Sequence, residues 1–200
     1  MTQRSILAGT NPTVIIKTGA SVTVKGIAGE RVSAQTGGRW GLKVVRKRKK
    51  EIIEVQIGGS GEVTVPLASS LKVYAGKDLR VRDIRGRVDA YAGFKLSLQD
   101  VYCLGNASAG WTMDVDCQTL AGEQVTYTAG SDLRFYVQDL TSARLRVKDL
   151  GGYWEARIGQ GEKSVYLKSG GDVTLVTGQK VEPLPPHYIL GNIEKPPVTG

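Results

Sequence analysis

Few residues in this chain are of types that perform chemistry, and their spacing limits what each can do. The one histidine, His187, lies among Pro183, Pro185 and Pro186. A Ser-His-Asp or Cys-His relay needs an imidazole held rigidly beside its nucleophile, and a proline-rich segment offers no such frame. Cys103 and Cys117 have neither CxxC nor zinc-ligand spacing and read as ordinary small residues. Asp114 and Asp116 lie two apart, so both carboxylates would share one strand face. That is the arrangement of a carboxylate pair on a groove, and also of an ordinary solvated surface pair. Ser169-Gly-Gly-Asp172 approaches the glycine-aspartate unit of a calcium-binding roll, but such rolls need the unit in tandem and here it is single. Asp78, Asp83, Asp100, Asp132, Asp139 and Asp149 recur at expected strand ends and turns, where an aspartate bonds its own backbone. Gly58-Gly-Ser-Gly61 is a turn, since neither a GxGxxG nor a GxxxxGK[ST] sequence is present. No catalytic residue, metal, cofactor or small-molecule substrate is therefore expected, and the chain reads as non-enzymatic.

Binding chemistry is better represented. The formal net charge is +8, and its densest run is Arg46, Lys47, Arg48, Lys49 and Lys50. Strand-like sequence flanks this run on both sides. It reads as the basic, solvated turn of a strand pair, whose cations also deter unwanted edge pairing. The sharper reading is a patch for an anionic partner, nucleic acid or an anionic membrane surface. No aromatic lies within the run to stack on bases. Lys77, Phe94 and Trp111 form a second group, spaced seventeen residues apart. Aromatics so spaced either pack on one another or form a docking surface.

The elements that hold these residues come from an internal repeat. Val73 to Ile84, Ala90 to Val101 and Ala107 to Asp116 lay onto one another with glycines at 76, 93 and 110. Leu79, Leu96 and Met113 then share one apolar column, and Val81, Leu98 and Val115 the next. The residues between them are polar, so the apolar period is two and the elements are half-buried strands. The glycines fall where the chain must turn, a place that commonly requires positive φ. Ile16 to Val24 matches Val73 to Val81 position by position, Ala34 to Leu42 is a weaker copy, and Tyr127 to Phe135 and Leu167 to Thr177 are later ones. Gly37 to Gly58 and Gly110 to Gly130 are longer intervals. The sequence thus predicts an all-β, single-domain parallel β-helix, or β-solenoid, with rungs of about 17–20 residues stacked about 4.8 Å apart. Residues 1–12 form an N-terminal lead and 13–178 the solenoid. Residues 179–200 form an extended tail, because proline cannot donate to a strand ladder.

The runs AGKDLRVRDI, VDAYAGFKLSLQDV, GSDLRFYVQDLTSARLRVKDLGG and SGGDVTLVT resemble the bacterial adhesin-like β-helix family, whose repeats are related to autotransporter adhesin heads. The likeness covers about residues 13–177. A weaker one is to bactofilins, small cytoplasmic β-helices that polymerise end to end. These resemblances imply the solenoid fold and a structural or adhesive role. No apolar run of about 18 residues is present, so no membrane span is expected, and no signal-peptide pattern begins the chain. A cytoplasmic location follows, with the extracellular or cell-surface one as its alternative. A solenoid has two open ends, which natural examples cap or polymerise. The expected function is self-association, head to tail into a filament, with Pro185, Pro186, Tyr188, Ile189 and Leu190 bridging subunits. The alternatives are a monomeric adhesin-like or scaffold binding module, and a basic-patch binder of nucleic acid or anionic membrane.

Overall fold

Alternation of buried β-branched or leucine residues with polar ones runs through nearly every element of this chain, and it produces strands throughout. The structure, a computed structural model, describes residues 1–177 apart from 38–40, 48–51, 141, 151, 159 and 161. All seventeen strands belong to one mixed sheet, and there is no helix among the described residues.

The strands fall into two columns. The first holds, in spatial order, β5 (Leu42–Lys47), β6 (Ile52–Ile57), β2 (Thr13–Thr18) and β8 (Ser70–Ala75). The second halves of β9 (Leu79–Ala92) and β10 (Leu96–Ala109) follow, then β12 (Gln124–Ala129), β16 (Lys163–Ser169), β14 (Ala143–Asp149) and β15 (Gly152–Ile158). The second column holds β1 (Thr2–Leu7), β4 (Arg31–Thr36), β7 (Gly61–Pro66) and β3 (Val22–Ile27). It continues through the first halves of β9 and β10 to β11 (Met113–Leu120), β13 (Leu133–Val137) and β17 (Val173–Thr177). The inward residues of both columns form one continuous apolar core. Each fully buried Val, Leu or Ile contributes on the order of 1.5–3 kcal/mol by removal from water.

In the middle the pairing is parallel and steps by seventeen. Leu79 is the Cα partner of Leu96, and Leu96 of Met113. Val81 pairs with Leu98, and Leu98 with Val115. All six side chains are buried. Ile16 to Val24 lies directly on Val73 to Val81: Ile16 pairs with Val73 and Val24 with Val81.

Four features differ from the sequence reading. First, three of the four column ends are antiparallel: β5 against β6, β1 against β4 (with β4 against β7), and β14 against β15; only β17 ends its column in parallel pairing. The connections β5–β6 and β14–β15 are short, and parallel pairing needs a crossover of a dozen residues or more. Ala34, read as part of a weak rung, faces Val63 in the antiparallel register. The N-terminal lead contributes an ordered strand, β1. Second, layers are not stacked in chain order. β2 and β3 lie between β6–β7 and β8–β9, and β16 lies between β12 and β14.

Third, Gly76, Gly93, Gly110, Gly130 and Gly170 do not adopt positive φ. They are needed for close approach: a Cβ at Gly93 would collide with the carbonyl oxygen of Gly76, and one at Gly110 with that of Gly93. Beside this ladder, Gly93 N–H donates to Ala75 C=O at 2.9 Å and Gly110 N–H to Ala92 C=O at 3.1 Å. Fourth, left-handed backbone occurs instead at Asp83 (φ 60°) and Asp100 (φ 51°), where β9 and β10 bend. Aspartate tolerates that region better than most residues. β11 has no such residue, so Val101 to Cys117 is a step of sixteen, and Cys117 pairs with Val101, whereas an unbroken step of seventeen would have set it on Asp100.

Candidate functional site

The side faces of the stack carry the residues with binding chemistry. Tyr74 and Tyr91 are Cα partners in adjacent layers, and their rings stack with centroids 5.0 Å apart and planes 12° apart. Lys72 Nζ lies 5.7 Å from the Tyr74 ring centroid. Round the glycine corner, backbone bonds align Lys77, Phe94, Trp111 and Ser131: Phe94 N–H donates to Lys77 C=O at 3.0 Å and Trp111 N–H to Phe94 C=O at 2.8 Å. Phe94 and Trp111 stack at 6.1 Å and 14°, yet remain 46% and 49% exposed. The column therefore packs and faces solvent at once. Lys95 Nζ sits 5.6 Å from the Phe94 ring. Isolated exposed aromatics are ordinary, but aligned ones with cations beside them form a surface able to stack on a partner.

The basic run is divided. Arg46 donates to Leu7 C=O of β1 at 2.7 Å, and Lys47 Nζ pairs with Glu54 at 2.8 Å. Glu54 is buried, and Lys17 also approaches it, at 3.6 Å. The hydrogen bonds from Lys47 and Gln56, with the charges of Lys47 and Lys17, hold its carboxyl down from 4.5 to about 2. Arg46 and Lys47 thus tie the hairpin to its neighbours. Arg48, Lys49 and Lys50 lie outside the described residues, as do Pro185, Pro186, His187, Tyr188, Ile189 and Leu190 of the tail.

Both cysteines are free thiols, and burial pushes each above its ordinary pKa, the opposite of an activated thiolate. Among the described residues no three of His, Cys, Asp and Glu group to hold a metal. Asp132 instead accepts from the Asp172 backbone N–H at 3.2 Å, and the Asp78 N–H donates to Ser21 Oγ at 3.3 Å. These are turn roles. Asp114 sits beside Arg134, and Asp116 beside Tyr136. No helix among the described residues is long and apolar enough to cross a membrane. The aromatic ladder was partly visible in the sequence through Lys77, Phe94 and Trp111. Tyr74 and Tyr91 share the same seventeen-residue spacing, which could have revealed the second pair.

No family model matches the chain. No curated protein matches it. Among solved structures it is similar to one described as a "putative cell adhesion protein" from Clostridium sporogenes, at 9% identity and a TM-score of 0.40, over 88% of this chain and 98% of that one. A likeness of this size carries neither a shared fold nor a shared function.

Proposed function

We propose that this chain is a non-enzymatic β-solenoid acting as a monomeric adhesin-like or scaffold module, which engages its partner through a side face of the stack. The observation that carries the reading is the half-exposed aromatic ladder of Phe94 and Trp111, held in register by backbone bonds between adjacent layers. Parallel pairing at a step of seventeen from Leu79 through Leu96 to Met113 supports the solenoid part of the reading. Such a frame holds outward side chains at fixed spacing with little ordering cost on binding.

Head-to-tail assembly has one observation in its favour. Among the described residues β1, β5, β15 and β17 are each bonded on one side only. Against it, exposed cations lie near both ends of the first column: Lys43 and Arg46 on β5, and Arg144, Lys148 and Arg157 on β14 and β15. Like charges brought together oppose joining, and Lys-rich edges deter strand addition. An anionic-partner role for the basic hairpin draws on fewer free groups than the sequence offered, because Arg46 and Lys47 have internal partners.

Sedimentation velocity over a wide concentration range separates the readings. A monomer throughout, with Trp111→Ala or Phe94→Ala weakening partner capture, is the expected result. Concentration-dependent polymers seen by electron microscopy would overturn it in favour of assembly. Capture that collapses with added salt and with replacement of residues 46–50 would transfer the function to the hairpin.

A further inference from the structure

A second side feature lies at the bend that Asp83 and Asp100 create. Ile84, Val101, Cys117 and Val137 are Cα partners in successive layers and are all buried. The residue after each, Arg85, Tyr102, Gln118 and Gln138, is exposed; Tyr102, Gln118 and Gln138 follow one another in register, and Arg85 lies beside Tyr102 where the β9–β10 register shifts. Backbone bonds hold the last two together: Gln138 N–H donates to Cys117 C=O at 3.1 Å and Asp139 N–H to Gln118 C=O at 2.7 Å. Asp100 and Asp116 precede Val101 and Cys117, on the other side of that buried column. Between the two sets runs a cavity of about 490 Å³, lined by Arg85, Asp100, Tyr102, Asp116, Gln118 and Gln138.

Resting on the side-face reading above, we propose that this groove binds a linear, neutral oligosaccharide laid along the stacking axis. The chemistry of the lining selects the ligand. Amide side chains donate and accept at once, and carboxylates accept twice over, so vicinal hydroxyls of a sugar meet both needs. Tyr102, 49% exposed, offers a ring for the apolar face of a pyranose and a hydroxyl for its edge. The polar groups repeat once per layer, at about 4.8 Å, which suits a polymer of repeating hydroxylated rings. Two carboxylates against one guanidinium disfavour an acidic glycan. A peptide strand is disfavoured too, because the groove floor has its backbone committed to the parallel ladder and offers no free edge for strand addition.

The test uses the full chain and linear neutral hexasaccharides of glucose, galactose, mannose, xylose and N-acetylglucosamine, with calorimetry on whichever binds. Tyr102→Ala, Gln118→Ala and Gln138→Ala should each weaken binding about tenfold, the loss of roughly one good contact, while leaving the melting temperature in place because all three are exposed. Trp111→Ala should leave this affinity unchanged. Absence of binding to every hexasaccharide overturns the groove assignment, and capture of a different partner dependent on Trp111 would still support the side-face reading. Hexasaccharide binding lost in Trp111→Ala but retained in the groove variants also overturns the assignment. Polymerisation of the chain removes the reading on which it rests.

Discussion

At the residue scale, two positions show how small groups set the stack. Gly93 sits under Gly110 and over Gly76, with no room for a methyl on the corner. Gly93→Ala should cost about 1–3 kcal/mol through overpacking. Gly19 occupies the same corner in the layer next to Gly76, yet has nothing within 4 Å of a built Cβ. Gly19→Ala should therefore be neutral or stabilising by up to about 1 kcal/mol, through the unfolded chain. Chemical denaturation of the two variants checks the pair, and equal losses would contradict the close-approach argument. Glu54 gives a pH prediction. Its carboxyl is held at about 2, below its ordinary 4.5, first by the Lys47 hydrogen bond. A depressed carboxylate stabilises the fold above its unfolded pKa, and that contribution is lost as pH falls through the folded value. The melting-temperature gap between the native chain and Glu54→Gln should be full above pH 4.5 and should shrink progressively toward pH 2.

At the scale of elements, β9 and β10 are long strands bent by one left-handed residue each. The bend lets a single strand serve both columns and carries Ile84 and Val101 into the core. The Asp83 carbonyl packs where a Cβ on Gly26 would fall, so bend and neighbour are fitted to each other. A β-branched residue pays the left-handed conformation in full. Asp83→Val should cost about 1–2 kcal/mol, whereas Asp83→Gly should be near neutral, as thermal unfolding would show. The regular alternation of these strands was readable from the repeat. The bend was not, because an aspartate at a strand end has the same sequence signature whether it caps a turn or adopts positive φ. The Cys117 register followed the same course: the step of sixteen depends on a backbone conformation that no residue type dictates.

At the scale of the molecule, layers touch only their neighbours, so stability is graded along the stack. The central layers built by β9 and β10 are paired on both sides, whereas β1 and β15 are each paired on one. Amide exchange should be slowest in β9 and β10 and fastest in β1 and β15. Uniform protection throughout would show a single cooperative unit instead. The same arrangement bears on function. The Phe94 and Trp111 ladder on which the proposed binding rests lies on a side of the stack, whereas β5 and β15 at its ends carry exposed cations.

Sequence alone determined the strands of the repeats, their inward and outward faces, the glycine corner, and the seventeen-residue overlay of Leu79, Leu96 and Met113. These follow from side-chain periodicity and turn chemistry, which act over a few residues and recur with the repeat. Only the tertiary structure decided that β2 and β3 insert between later layers and that the outer strands β1, β5 and β15 run antiparallel while β17 stays parallel. It alone brought Arg85, Tyr102, Gln118 and Gln138 along one groove. The reason is that repeated apolar faces are nearly interchangeable as neighbours. Which one lies on which is settled by connection lengths and by contacts between residues far apart in the chain.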